Sequence, residues 1–306
     1  LKACGIGHFL LKNNMNFEDF VKQIDTMSEN DQFSFGLNWI DYVKSKLTDD
    51  IIHTHMSNLS SYYKDYDFTD KSVLDIGCGS GLSSLSFNLL GCKQVDSIDV
   101  DTNSVEACNL TKEKFFHKLV SNHNWNIKHQ SILNDVYVKT SKKYDIVYSW
   151  GVLHHTGDMW KAIKNATSMV NDNGILHLAL YISGDRYMDD LKLKVCYNAN
   201  KDDIKKRMIY DWLNYHYISR GIDINSINSR GMNKYNDCID WLGGYPYEVC
   251  DPDILDCYLK EHHFEKLFYK GANQGGNFIC LYKKSKEKYK SLNTSLQKSN
   301  LLIKRS

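Results

Sequence analysis

Between residues 70 and 182 the chain alternates short apolar runs with longer amphipathic stretches. Val73–Ile76, Gln94–Asp99, Trp125–Gln130, Tyr144–Trp150 and Ile175–Tyr181 have the length and the β-branched or aromatic content of strands. Leu82–Leu90, Ser104–Phe116 and Met159–Val170 lie between them and read as helices, the last stopping at Asn171-Asp172-Asn173-Gly174. Strands and helices in alternation predict an α/β fold with a doubly wound, mostly parallel sheet.

The alternation breaks off for about 70 residues after Tyr181 and resumes at Asp251-Pro252, which reads as an N-cap with proline at the first helical position of a helix to His262. Phe264–Tyr269 and Asn277–Tyr282 then read as a closing antiparallel pair. The expected organisation is a helical segment at 1–69, with helices at 16–28 and 36–47. A core follows at 70–182 and 251–284, interrupted by an inserted cap at 183–250 and ended by a surface tail at 285–306. The cap should hold helices at 186–198 and 202–219, then Arg230-Gly231-Met232 and a turn around Gly243-Gly244 between Trp241, Tyr245, Tyr247 and Glu248.

The most specific local signal is Asp75-Ile76-Gly77-Cys78-Gly79-Ser80-Gly81 at the end of the first strand. Glycines there let the backbone turn tightly and approach a ligand, as in dinucleotide folds. The third glycine falls one residue too early for G-x-G-x-x-G, and Asp75 would repel a pyrophosphate, so a nicotinamide dinucleotide is disfavoured. A cationic nucleoside without phosphate suits the loop, and S-adenosylmethionine (SAM) is one. Asp99, 22 residues past Gly77, ends the second strand where a carboxylate can accept hydrogen bonds from the two ribose hydroxyls.

In these residues the chain resembles the class I SAM-dependent methyltransferases, whose first motif is an acid two residues before G-x-G-x-G. Tyr144–Trp150 followed by Gly151-Val152-Leu153-His154-His155 is similar to the quinone-type and small-molecule branch of that family. The resemblance implies a seven-stranded sheet with its last hairpin strand inserted. It also implies a cofactor site of Asp75, Gly77, Cys78, Gly79, Gly81, Asp99, Val100 and Trp150, with Ser131 and Ile132 against the adenine.

Composition excludes little but narrows the partners. A net charge of +1 gives no strong nucleic-acid signal, and Lys205-Lys206-Arg207 reads as a solvated helix face. Nine scattered cysteines without a C-x-x-C pair indicate no metal site and suggest free thiols, hence a cytoplasmic location as the default. No run approaches the roughly 20 apolar residues of a membrane span. Oligomeric state is not legible.

Methyl transfer from a sulfonium is an in-line displacement that needs alignment, and a base when the acceptor is a hydroxyl or an acidic carbon. His154 and His155, at the exit of the fourth strand, are the base candidates. The cap leaves the carboxyl end of the fifth strand and hangs over the reacting methyl, so Tyr181, Tyr245, Tyr247 and Glu248 are the candidate acceptor contacts. Ser149-Trp150-Gly151-Val152 stands where motif-bearing N-methyltransferases carry Asn/Asp-Pro-Pro-aromatic, which favours transfer to oxygen or carbon of a small molecule such as a sugar, a quinol or a natural-product intermediate. An RNA or protein methyltransferase and a non-catalytic SAM-binding module stay open at this level.

Overall fold

The fold is that of a computed structural model, which describes residues 36–119, 124–224, 226, 234–273 and 276–285. The expected helix at 16–28, the Arg230-Gly231-Met232 triplet and the tail beyond 285 lie outside the described residues.

Ser72–Ile76 forms β1, and its Val73, Leu74 and Asp75 are buried among neighbours on both sides, as a central parallel strand requires. Parallel pairing joins it to β2 (Gln94–Asp99) and β4 (Tyr144–Trp150); β3 (Asn124–His129) extends one edge and β5 (Val170–Tyr181) the other. β7 (Asn277–Lys284) then inserts antiparallel between β5 and β6 (Phe264–Lys270), giving the order β3-β2-β1-β4-β5-β7-β6. This is the seven-stranded α/β sheet with an inserted hairpin strand that the sequence implies. β5 starts earlier than expected, at Val170, because Tyr144 pairs with Val170 before a bulge resets the register at Ile146 and Ile175.

On one face the sheet packs against α1 (Gly36–Ser45), α2 (Asp49–Ser61), α3 (Leu82–Leu89) and α4 (Thr102–Lys114), around Val73, Leu85, Phe87, Ala107 and Tyr148. On the other it packs against α5 (Asp135–Thr140), α6 (Met159–Ser168) and α10 (Pro252–Glu261), around Leu74, Val147, Ala162, Leu178 and Leu259. Asp251 caps α10 by accepting from the amides of Asp253 and Ile254, with Pro252 at its first turn, as the Asp-Pro pair predicts. The segment before β1 contains a helix, α2, that periodicity did not suggest. α1 is tied to the core where Asp101, the N-cap of α4, also accepts the Gly36 amide at 2.8 Å.

The cap has a small core of its own. α7 (Tyr187–Ala199), α8 (Asp202–His216) and α9 (Lys234–Gly243) enclose Leu193, Met208, Trp212, Leu213, Cys238 and Leu242. The first two were expected; α9 runs through residues read as the approach to a turn. Among the described residues no helix is long and apolar enough to cross a membrane.

Candidate active site

At the carboxyl ends of β1, β2, β4 and β5 lies a cavity of about 1410 Å³, bounded by the glycine loop, α1, α2 and the cap. In an open α/β sheet this is the position where the order of strands reverses and ligands bind. A pocket for one drug-sized ligand occupies roughly 300–1,000 Å³. The volume here has room for a cofactor and a second molecule.

The loop after β1 shows why its residue types are needed. Gly77 has φ of +74°, and a Cβ there would lie 2.3 Å from Val152, so any side chain would collide with the segment leaving β4. Gly79 also lies in the left-handed region, and its amide donates to Asp99 Oδ2 at 3.0 Å while the Asp101 amide donates to Asp99 Oδ1 at 3.0 Å. Asp99 is thereby aimed into the cavity with oxygen lone pairs left over for further donors. Its carboxyl is pushed up to about 6 by burial, against the lowering effect of those amides.

Asp75 lies deeper, at the end of a buried chain of donors. Trp125 Nε1 donates to Ser97 Oγ at 2.8 Å, Ser97 and Ser84 share a hydrogen at 2.6 Å, and Ser84 Oγ donates to Asp75 Oδ2. Burial pushes the Asp75 carboxyl up to about 7, with Ser84 opposing and Asp99 adding to the rise. Two buried carboxyls on one wall attract a cation, and they fit the ammonium-bearing, phosphate-free nucleoside that the sequence suggested.

Of the expected cofactor residues, Asp75, Gly77, Cys78, Gly79, Asp99, Val100, Ser131, Ile132 and Trp150 line this cavity. Gly81 does not. It is the left-handed N-cap of α3, and its bare Cα allows the approach of α4, where a Cβ would meet Cys108 Sγ at 2.7 Å.

The two histidines separate. His155 lines the cavity, and its Nδ1 donates to the Pro246 carbonyl at 2.6 Å, which fixes the tautomer with its lone pair on Nε2. Burial, and then the Lys194 charge, hold it down to about 3, so the ring is neutral at ordinary pH. His154 is fully buried outside the cavity lining: its Nδ1 accepts the Tyr181 amide at 3.0 Å and its ring packs on Tyr181 at 4.0 Å. Adjacent residues in a short 3₁₀ turn face different ways, and both meet the cap, His154 through its carbonyl, which accepts the Glu248 amide at 2.9 Å, and His155 through its ring.

The expected acceptor contacts divide similarly. Tyr181 and Tyr245 line the cavity; Tyr247 and Glu248 do not. Tyr247 is buried between Tyr181 and Tyr187, and Glu248 Oε2 accepts the Met159 amide at 2.9 Å, capping α6 from a distance.

Further residues complete the walls of the cavity. Trp39 and Tyr42 of α1, His55 of α2 and Tyr62 just past its end, and Trp212, Asp237, Asp240 and Trp241 of the cap all line it, as do Lys270 and Asn277 of the closing hairpin. Lys194 stands just behind. It is fully buried, its Nζ donates to the Trp241 carbonyl, and it lies 4.4, 4.7 and 5.7 Å from the rings of Trp241, Tyr247 and Tyr181. Burial lowers it to about 7 although Asp190 and Asp240 favour its charge.

Residues 49–226 match the family described as a methyltransferase domain. Among curated relatives, the ubiquinone biosynthesis O-methyltransferase of Pelagibacter ubique (strain HTCC1062) is 26% identical over 182 residues, 58% of this chain and 66% of that protein. The ribosomal protein L11 methyltransferase of Psychrobacter sp. (strain PRwf-1) is 44% identical over 50 residues, 16% of each chain. The chain thus spans less than two thirds of the length of either relative. Among solved structures, the SAM-bound magnesium protoporphyrin IX methyltransferase of Synechocystis PCC 6803 aligns at 12% identity over 82% of this chain and 91% of its own, with a TM-score of 0.48. TehB from Haemophilus influenzae aligns at 19% identity over 81% and 67%, with a TM-score of 0.46. With more than half of the chain matched to that domain, the protein belongs to the methyltransferase-domain family.

Proposed function

We propose that the protein methylates an oxygen or an acidic carbon of a small molecule held between the strand ends and the cap. The observation that carries this reading is the single continuous cavity, which extends from Asp75 and Asp99 to His155, Tyr181, Trp241 and Tyr245 beneath the cap. A chamber partly covered by the cap and walled by both aromatic rings and polar side chains suits a small acceptor that carries polar groups on an apolar or aromatic frame. The relative named for ubiquinone biosynthesis supports this reading, and the relatives named for ribosomal protein L11 point to a protein acceptor instead. The roof formed by the cap favours the small molecule.

The cofactor supplies an electrophilic methyl carbon bound to a sulfonium leaving group. Asp99 would hold the ribose hydroxyls, Asp75 would face the ammonium group through the loop, and Ser131 and Ile132 would border the adenine. Trp150, Tyr181 and the cap would exclude water and align the acceptor, which is the main requirement of a displacement. His155 would take the acceptor's proton on Nε2 as the new bond to carbon forms, while Pro246 holds the other ring nitrogen.

The test is to incubate the protein with methyl-radiolabelled SAM and a cell extract, then separate small molecules from protein and RNA. Label in the small-molecule fraction is expected. Label confined to protein or RNA overturns the proposal.

A further inference from the structure

The cap returns to the core through the turn that follows α9, and a glycine marks where it lands. Gly244 lies against His155: a Cβ built on it would stand 2.8 Å from Cε1 of the imidazole and 3.1 Å from Nε2. Two residues on, the Pro246 carbonyl accepts from Nδ1 of the same ring at 2.6 Å. Two further on, the Glu248 amide donates to the His154 carbonyl at 2.9 Å, so the turn docks on the core in one register.

The ring has little room to move. His154 and Tyr181 pack on it with ring centroids 4.5 and 5.5 Å away. Swinging the Cε1–Nε2 edge away from Gly244 would disturb the bond from Nδ1 to Pro246. Gly244 is itself held, because its amide donates to the Asp240 carbonyl at 3.0 Å just past the end of α9. Its φ lies outside the left-handed region, so no backbone strain demands a glycine there. What the missing side chain provides is space, and the atom nearest to that space belongs to His155.

We propose that Gly244 is a positioning residue for His155. Its bare Cα lets the cap close on the Cε1–Nε2 edge while Pro246 holds Nδ1, so the ring is gripped by one turn at two points and Nε2 keeps a fixed angle to the cavity. A methyl group at 244 pushes the ring off Pro246 and releases the proton from its assignment to Nδ1. The inference rests on the reading of His155 as the group that takes the acceptor's proton, and adds what keeps that group aligned.

The experiment is a double-mutant cycle of Gly244→Ala and His155→Ala. Transfer of label from methyl-radiolabelled SAM to cell extract is measured in whichever fraction takes the label, together with melting temperature and S-adenosylhomocysteine affinity by calorimetry. The ring itself is read from the imidazole resonances of protein with isotope-labelled histidine nitrogens, His155 being the signal absent from His155→Ala. The proposal predicts that Gly244→Ala lowers transfer by roughly 100-fold, the cost of misplacing an aligned group by about an ångström. It also predicts that the His155 signal departs from the pattern of a proton fixed on Nδ1 and that S-adenosylhomocysteine binds as to the wild type. In the His155→Ala background the same substitution should change transfer by no more than about twofold and cost less in melting temperature, since no ring is left to displace. An unchanged His155 signal in Gly244→Ala overturns the proposal, as does a loss of transfer or stability equally large in both backgrounds. If Gly244→Ala does not fold, a double variant that folds carries the proposal and one that does not overturns it. Wild-type transfer by His155→Ala would defeat the proton-acceptor reading alone, because the signal and the melting cycle still report how the ring is held.

Discussion

His155 Nδ1 donates to the carbonyl of Pro246, 91 residues further along, at 2.6 Å. One hydrogen bond thus joins the exit of β4 to the last turn of the cap and sets the tautomer of the imidazole that faces the cavity. The core presents the ring and the cap decides which nitrogen is basic.

The first prediction follows from that bond. His155→Ala should lower turnover at neutral pH by about 10²–10⁴-fold if the ring accepts the proton. The remaining rate should climb with pH as hydroxide or the ionised acceptor takes over. His154→Ala should instead lower thermal stability, because it removes the acceptor of the Tyr181 amide, without that change in pH profile. A flat pH profile for His155→Ala would remove the base assignment.

Cofactor affinity should depend on acid. With Asp75 held up at about 7 and Asp99 at about 6, both carboxyls of the free protein gain protons as pH falls through that range, and a cationic ligand loses its counter-charges. SAM binding measured by calorimetry should weaken from pH 8 to pH 5.5 and release protons near pH 6.5. Asp75→Asn should bind less tightly at pH 8 and lose part of this dependence. Asp99→Ala should cost about 1.5–3 kcal/mol for each ribose hydrogen bond lost. A pH-independent affinity would place neither carboxyl against the cofactor.

The cap residues should sort by what they touch. Tyr245→Ala and Trp241→Ala, which alter the cavity wall, should reduce acceptor turnover while leaving SAM affinity unchanged. Tyr247→Ala and Glu248→Ala should act on the melting temperature instead, the first through a lost buried ring and the second through a lost cap on α6 worth about 1 kcal/mol. Equal effects on turnover from both pairs would dissolve the distinction.

Lys194 gives a prediction about stability alone. Its folded-state value, about 7, lies below that of a free lysine, so between pH 7 and pH 10 the unfolded chain binds the proton more tightly and this group adds stability as pH rises. Melting curves of wild type and Lys194→Met across that range should differ in slope by up to about 1.4 kcal/mol per pH unit. Parallel curves would show that Lys194 is charged in the fold throughout.

What the sequence could disclose is tied to how local each signal is. Asp75, Gly77 and Gly79 are legible because a tight turn demands particular backbone freedom within five residues, and Asp99 because it ends the next strand. The division between His154 and His155 is not, since it depends on the Tyr181 amide and the Pro246 carbonyl, both distant in the chain. Helix α9 was obscured by Gly243-Gly244, which read as a turn although the helix extends to Gly243. Glu248 looked like a pocket acid because its partner, the Met159 amide, is an unfilled helix end that no sequence pattern announces. His55, Lys270 and Asn277 reach the cavity only through the packing of α2 and the β6–β7 hairpin, and nothing in their own neighbourhoods marks them.

The most direct test is a crystal structure of the complex with S-adenosylhomocysteine. The ribose hydroxyls should lie within about 3 Å of the Asp99 carboxylate, with the sulfur directed toward the space between His155, Tyr181 and Asn277. Product bound with its ribose away from Asp99, or with its sulfur turned from that space, would contradict the account.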